Sequence, residues 1–212
     1  MLGPSAHLDT FTRDHLPPEA QWPEFLLQGF DYPERINVGY ELSDGMVAKG
    51  FGDHMALVGN GRRRTYKELA DWSNRIAHVL VNELGLKPGQ RVLVRSANNP
   101  AMVAVWLAVT KAGGVAVNTM PMLRAMELSA IVDIAEIGLA LCDTRLMDEM
   151  VACAKDSRFL KKVVGFDGTA NHDAELDRLA LDQPVQFQAV PTGRDDVALL
   201  GFTSGTPGKP KA

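Results

Sequence analysis

From residue 55 onward the apolar positions switch repeatedly between a period of two and a period near 3.6. Met55-Ala56-Leu57-Val58, the turn pair Asn60-Gly61, and then Arg63-Arg64-Thr65-Tyr66 predict a β-hairpin. Thr65 with Glu68 three residues on forms a capping box for a helix. In that helix Leu69, Trp72, Ile76, Val79, Leu80 and Leu84 recur at helical spacing, and Gly85 ends it. Alternation then follows: strand Arg91 to Val94, helix Met102 to Lys111, strand Val115 to Val117, helix Arg124 to Ala135, strand Leu139 to Cys142, helix Leu146 to Ala154, strand Lys162 to Phe166, helix Asp173 to Ala180, strand Val197 to Phe202. In the second helix Met102, Val105, Trp106 and Val109 mark the inward face; in the third, Leu128, Ile131, Val132 and Ala135. Short apolar strands separated by helices predict an α/β fold, a mostly parallel β-sheet with helices on both faces.

Residues 1–40 break this pattern. Pro17, Pro18, Pro23 and Pro33 are mixed with His7, His15, Asp9 and Asp14, and with scattered apolar residues from Leu8 to Leu27. Proline interrupts long helices, so this stretch reads as an irregular arm packed on the body, with residues 41–212 as the α/β unit. A short helix is expected between Asn37 and Lys49.

Composition removes several functions. A formal net charge of −4 gives no reason to expect nucleic acid. Arg62-Arg63-Arg64 reads as a solvated hairpin edge. Cys142 and Cys153 lack a metal or redox spacing and read as reduced thiols. His7, His15, His54, His78 and His172 are scattered without ligand spacing. Met120, Met122 and Met126 read as core filling. No apolar run reaches the ~18 residues of a membrane span, and no signal peptide opens the chain. A soluble cytoplasmic protein is the expectation.

The candidate chemistry follows the last strand: Thr203-Ser204-Gly205-Thr206-Pro207-Gly208-Lys209-Pro210-Lys211-Ala212. Glycines admit close approach of backbone N–H groups to an anion, hydroxyls donate, and lysines supply charge. This composition suits a triphosphate. The Walker pattern fails twice, because it needs Gly at 203 and Ser or Thr at 210. Pro210 also pushes Lys209 out of the α region. The dinucleotide fingerprint fails at Thr203.

The run resembles the phosphate loop of the adenylate-forming superfamily, T-S-G-[ST]-[TS]-G-x-P-K-[GA], and departs from it only at Pro207. Thr65-Tyr66-Lys67-Glu68-Leu69, Gly89-Gln90-Arg91-Val92, Asn98-Asn99, Trp106-Leu107-Ala108, Lys111-Ala112-Gly113-Gly114 and Asp195-Asp196-Val197-Ala198 resemble family landmarks in family order. The arm is most similar to the 2-aminobenzoate- and benzoate-CoA ligase branch. The resemblance implies an incomplete N-terminal domain of an ATP-dependent ligase. Such an enzyme joins a carboxylic acid to AMP and then to CoA, with Mg as counter-ion and an aromatic acid as substrate. It implies that Thr203, Ser204 and Thr206 give hydroxyl contacts to the ATP phosphates, and that Gly205 and Gly208 give backbone room. Lys211 matches the recurrent lysine, while Lys209 falls at a variable position. The catalytic, Mg and CoA sites lie later in family members, so no catalytic or metal residue is assigned. Ordering nine loop residues costs about 9–18 kcal/mol at ~1–2 kcal/mol each. A charge-assisted hydrogen bond returns only ~1.5–3 kcal/mol. The expectation is therefore a fragment without activity of its own. A fatty acyl or amino-acid activator, or an inactive truncated product, are the alternatives.

Overall fold

The computed structural model describes residues 2–24, 26, 29–169 and 173–202. The arm contributes an α-helical turn, α1 (Phe11–Asp14), and a 3-10 turn, Glu19–Gln21. It is fixed by Arg91, whose guanidinium pairs with Asp9 at 2.6 Å and stacks on Phe11 at 4.2 Å. Leu8 and Asp9 both donate to the Pro88 carbonyl. Two further turns, α2 (Val38–Glu41) and α3 (Asp44–Met46), occupy the stretch expected to hold one short helix.

The hairpin forms as predicted. β1 (Met55–Gly59) pairs antiparallel with β2 (Arg62–Thr65). Asn60 and Gly61 between them both take positive φ, 52° and 70°, which the twist of a two-residue turn demands. The capping box of α4 (Tyr66–His78) is complete: Glu68 N–H donates to Thr65 Oγ1, and Thr65 N–H to Glu68 Oε2 at 2.7 Å. The helix continues through a wider π turn, Val79–Glu83, before Gly85 at φ 68°.

β3 (Arg91–Arg95) is the first strand of the main sheet. It is followed by α5 (Pro100–Lys111), β4 (Val115–Thr119), α6 (Ala125–Ala135) and β5 (Leu139–Asp143). α7 (Met147–Lys155), β6 (Lys162–Phe166), α8 (Glu175–Ala180) and β7 (Leu199–Leu200) complete it. The five strands run in the order β6-β5-β3-β4-β7, all parallel. α5 starts two residues before the expected Met102, because Asn99 caps it by accepting from Met102 N–H and Pro100 fits its first turn.

Successive strand residues point to opposite faces. Val92, Val94 and Ala116 pack with α4, α5 and α8 in one core. Leu93, Val117 and Cys142 pack with α6 and α7 in the other. α5 departs from a one-face pattern: Ala101, Ala104, Leu107, Ala108 and Lys111 are buried along with Val105 and Val109. The reason is that α4 and α2 cover the sides of α5 turned away from the sheet. Lys111 lies at its end, fully buried, with Nζ 2.5 Å from Asp44, 2.8 Å from Ser73 Oγ and 2.7 Å from Asn74 Oδ1.

Candidate functional site

Thr203, Ser204, Gly205, Thr206, Gly208, Lys209 and Lys211 lie outside the described residues, as does Pro207. Their approach is described. β7 is shorter than the expected Val197 to Phe202, because only Leu199 and Leu200 pair regularly, with Ala116 and Val117 of β4. That parallel pairing sends the chain after Leu200 toward the carboxyl end of the sheet, the end where open α/β sheets bind ligands. Leu200 and Phe202 pack against the α6–α7 core and hold this approach.

Behind β7, three loops shape the same end. Arg95 closes β3 with 1% of its surface exposed. Its guanidinium donates to the carbonyls of Pro121 and Leu123 at 2.9 and 2.8 Å, and more weakly to those of Met120 and Leu146. It thereby fastens the turn between β4 and α6. β3 proceeds to β4 on one side while β5 proceeds to β6 on the other, so the chain leaves their adjacent ends in opposite directions. Asp143 sits at this switch point, fully buried. It takes a two-pronged contact from Arg145, at 3.0 and 2.6 Å, and faces Ser96 Oγ at 3.4 Å. The hydrogen bonds that Arg145 donates to Asp143 raise the Arg145 pKa. Gly168 is required here, because a Cβ would fall 1.9 Å from Asp143 Oδ2. This carboxylate is consumed by its partners, and β7, the strand that leads toward Thr203, lies at an edge of the sheet, on the far side of β3 and β4 from β5.

Two expectations change. Met120, Met122 and Met126 are exposed, at 52%, 74% and 82%, and do not fill the core. Two occupy the β4–α6 turn, and Met126 lies off the Leu128–Ile131–Val132–Ala135 stripe that α6 buries. Arg64 is not a solvated edge residue: it lies over the Trp72 ring at 4.5 Å, and partial burial lowers its pKa. His7 is half-buried, and burial lowers its pKa against the pull of Asp196 and Asp9. His15 stacks on Phe11 and His78 contacts the Gln186 carbonyl; His172 lies outside the described residues. Cys142 and Cys153 are free and buried, and burial pushes the Cys142 thiol up to about 12. Arg95 and Asp143 were not singled out from the sequence. A charged residue at the last position of an apolar strand was the available signal.

Residues 46–212 match the AMP-binding enzyme family. The chain belongs to that family. This AMP-binding chain is 28% identical over 177 residues to the 3-hydroxybenzoate–CoA ligase of Aromatoleum sp. (strain CIB), covering 84% of this chain and 34% of that one. It is 33% identical over 178 residues to the salicylyl-CoA synthase / salicylate adenylyltransferase of Streptomyces sp, covering 77% and 32%. Its fold is similar to that of the anthranilate CoA ligase AuaEII in complex with anthranoyl-AMP, with a TM-score of 0.75 at 19% identity, covering 84% and 33%. The AMP-binding chain thus spans about a third of the length of the relatives it matches. No helix among its described residues is long and apolar enough to cross a membrane.

Proposed function

We infer that this chain is part of an ATP-dependent ligase that activates an aromatic carboxylic acid and passes it to CoA. The observation that carries this reading is positional. The Thr-Ser-Gly-Thr sequence begins directly after Phe202, and the chain reaches Phe202 from β7 (Leu199–Leu200), a parallel strand aimed at the carboxyl end of the sheet. Family membership supports ATP as co-substrate and Mg as its counter-ion. The relatives named for hydroxybenzoate and salicylate support the aromatic class. In this reading residues 41–212 form the AMP-binding unit. Thr203, Ser204, Thr206 and Lys211 contact the phosphates, Gly205 and Gly208 give room, and Lys209 adds charge nearby. Fatty acyl or amino-acid activation is the second reading, favoured by the family's breadth.

The test uses the 212-residue chain. MgATP titration followed by amide chemical shifts is expected to give weak binding that moves Thr203 to Lys211, and Lys211→Ala is expected to weaken it. ATP–pyrophosphate exchange with benzoate or 2-aminobenzoate is expected to be absent from this chain alone. Shifts scattered over the surface, equal in Lys211→Ala, would refute the phosphate site. Robust exchange would refute the expected inactivity. An acid panel on an active full-length relative of this sequence separates aromatic from fatty acyl use.

A further inference from the structure

The amino end of the sheet carries a cavity of about 410 Å³, within the size range of small-molecule sites. It opens where β4 and β7 begin. Val197 and Ala198 line it just before β7, Val38, Glu41 and Leu42 from the α2 stretch, and His7 from the arm. β7 runs away from this end, so the cavity is separate from the approach to Thr203. Bonds between segments far apart in sequence fix its walls. Asn37 Nδ2 donates to the carbonyls of Thr110 at 2.8 Å and Val190 at 2.9 Å, and Ile36 N–H to that of Thr192 at 2.9 Å. α2 lies so close to α5 that a Cβ on Gly39 would fall 2.6 Å from the Leu107 carbonyl oxygen. A preformed cavity spares a ligand the cost of ordering one.

Apolar atoms provide most of the cavity's surface, and carboxylates provide its excess charge. Asp196 accepts from Ser5 Oγ, Ala6 N–H and Gly193 N–H, all neutral donors, and makes no ion pair among the described residues. Glu41 gives Oε2 to Lys49 at 3.2 Å in a partly exposed pair, and its Oε1 has no hydrogen bond among the described residues. Burial lowers the His7 pKa, so the ring is neutral at pH 7 and adds no positive charge. Arg194, at the rim, is exposed and donates to the Tyr32 carbonyl at 3.4 Å. Two carboxylates against one exposed cation in the lining favour a positive ligand. The apolar walls favour a hydrophobic body on it.

We propose that this cavity binds a small primary amine with an apolar body. Glu41 Oε1 takes the ammonium in the negative field of Asp196, and the body lies against Val38, Leu42, Val197 and Ala198. The site goes beyond the function proposed above and does not rest on it.

The test titrates 2-phenylethylamine, its neutral counterpart 2-phenylethanol and its anionic counterpart phenylacetate into the labelled 212-residue chain at pH 7.5, followed by amide chemical shifts. The amine is expected to move the Val38, Leu42, Val197 and Ala198 amides saturably. It should bind about three- to tenfold tighter than the alcohol, the size of one charge-assisted contact at a partly exposed carboxylate. Phenylacetate should bind most weakly. Glu41→Gln keeps the size and removes the charge, and should bring amine and alcohol to within about twofold of each other. Its thermal midpoint should match that of the unsubstituted chain, since an exposed pair with Lys49 contributes little to stability. No saturable movement of these amides by the amine would refute the cavity as a ligand site. Equal affinity for amine and alcohol, or tighter binding of phenylacetate, would refute the amine class. A Glu41→Gln chain that keeps the full preference for the amine would refute the role of Glu41.

Discussion

Lys111→Met tests the most demanding contact in the fold. The ammonium is fully buried between α5, α3 and α4 and bonds Asp44, Ser73 and Asn74. Burial lowers the Lys111 pKa, and the bond to Asp44 opposes that shift. Replacing the lysine leaves Asn74 Oδ1 without this donor and Asp44 without its cation. Ser73 keeps its bonds to the Leu69 and Ala70 carbonyls, and Asp44 keeps Asn74 Nδ2 at 2.7 Å. Removing one member of a buried ion pair costs about 3–5 kcal/mol. The Asp44 side chain is 24% exposed, so water recovers part of that penalty, and the low end, about 3 kcal/mol, applies. At ~2–4 °C per kcal/mol for a chain of this size, the midpoint should fall about 6–12 °C. Circular dichroism melts at pH 7 measure it, with urea midpoints as a second reading. Asp44→Leu added to Lys111→Met should recover much of the loss, because the stranded carboxylate is gone. A single variant within about 0.5 kcal/mol of the starting chain, the scatter of ordinary surface changes, would refute the reasoning. A double variant as damaged as the single one would also refute it.

Thr65→Ala removes the hydroxyl half of the capping box and should cost about 1 kcal/mol, read as a ~2–4 °C drop in the melt; no drop would mean the cap is redundant. Cys142 and Cys153 should resist a thiol reagent at pH 8 in the folded chain and react fully in urea, since burial raises both thiols. Acid should loosen the arm. Burial pulls His7 below its usual value, so its contribution falls as pH drops from about 6.5 through the lowered folded value. Burial pushes Asp196 up, but bonds from Ser5, Ala6 and Gly193 outweigh it, so that contribution is lost only as pH falls from about 4 through its depressed value. Protection factors of the Ala6, Leu8 and Asp9 amides should therefore fall between pH 7.5 and 5, and flat values would refute the link.

Elements whose cause is local were legible in the residues. Asn60-Gly61 needs only its own backbone freedom to turn the hairpin, and Thr65 with Glu68 needs only three intervening residues to cap α4. The alternation of short apolar strands with helices was enough for a parallel sheet covered on both faces, and Leu128, Ile131, Val132 and Ala135 announced the inner side of α6.

What depended on neighbours was not legible. Met120 and Met122 have core composition, yet the turn that carries them is drawn tight by Arg95, a residue twenty-five positions away from Met120, and leaves them outside. Lys111 reads as a polar end to a helix, and it is buried because Asp44 and Asn74 arrive from other segments. Local propensity sets turns, caps and periods, because those energies lie within a few residues. Which side chains are denied water depends on strand order and on which segments pack against each other. Only the tertiary arrangement decided that.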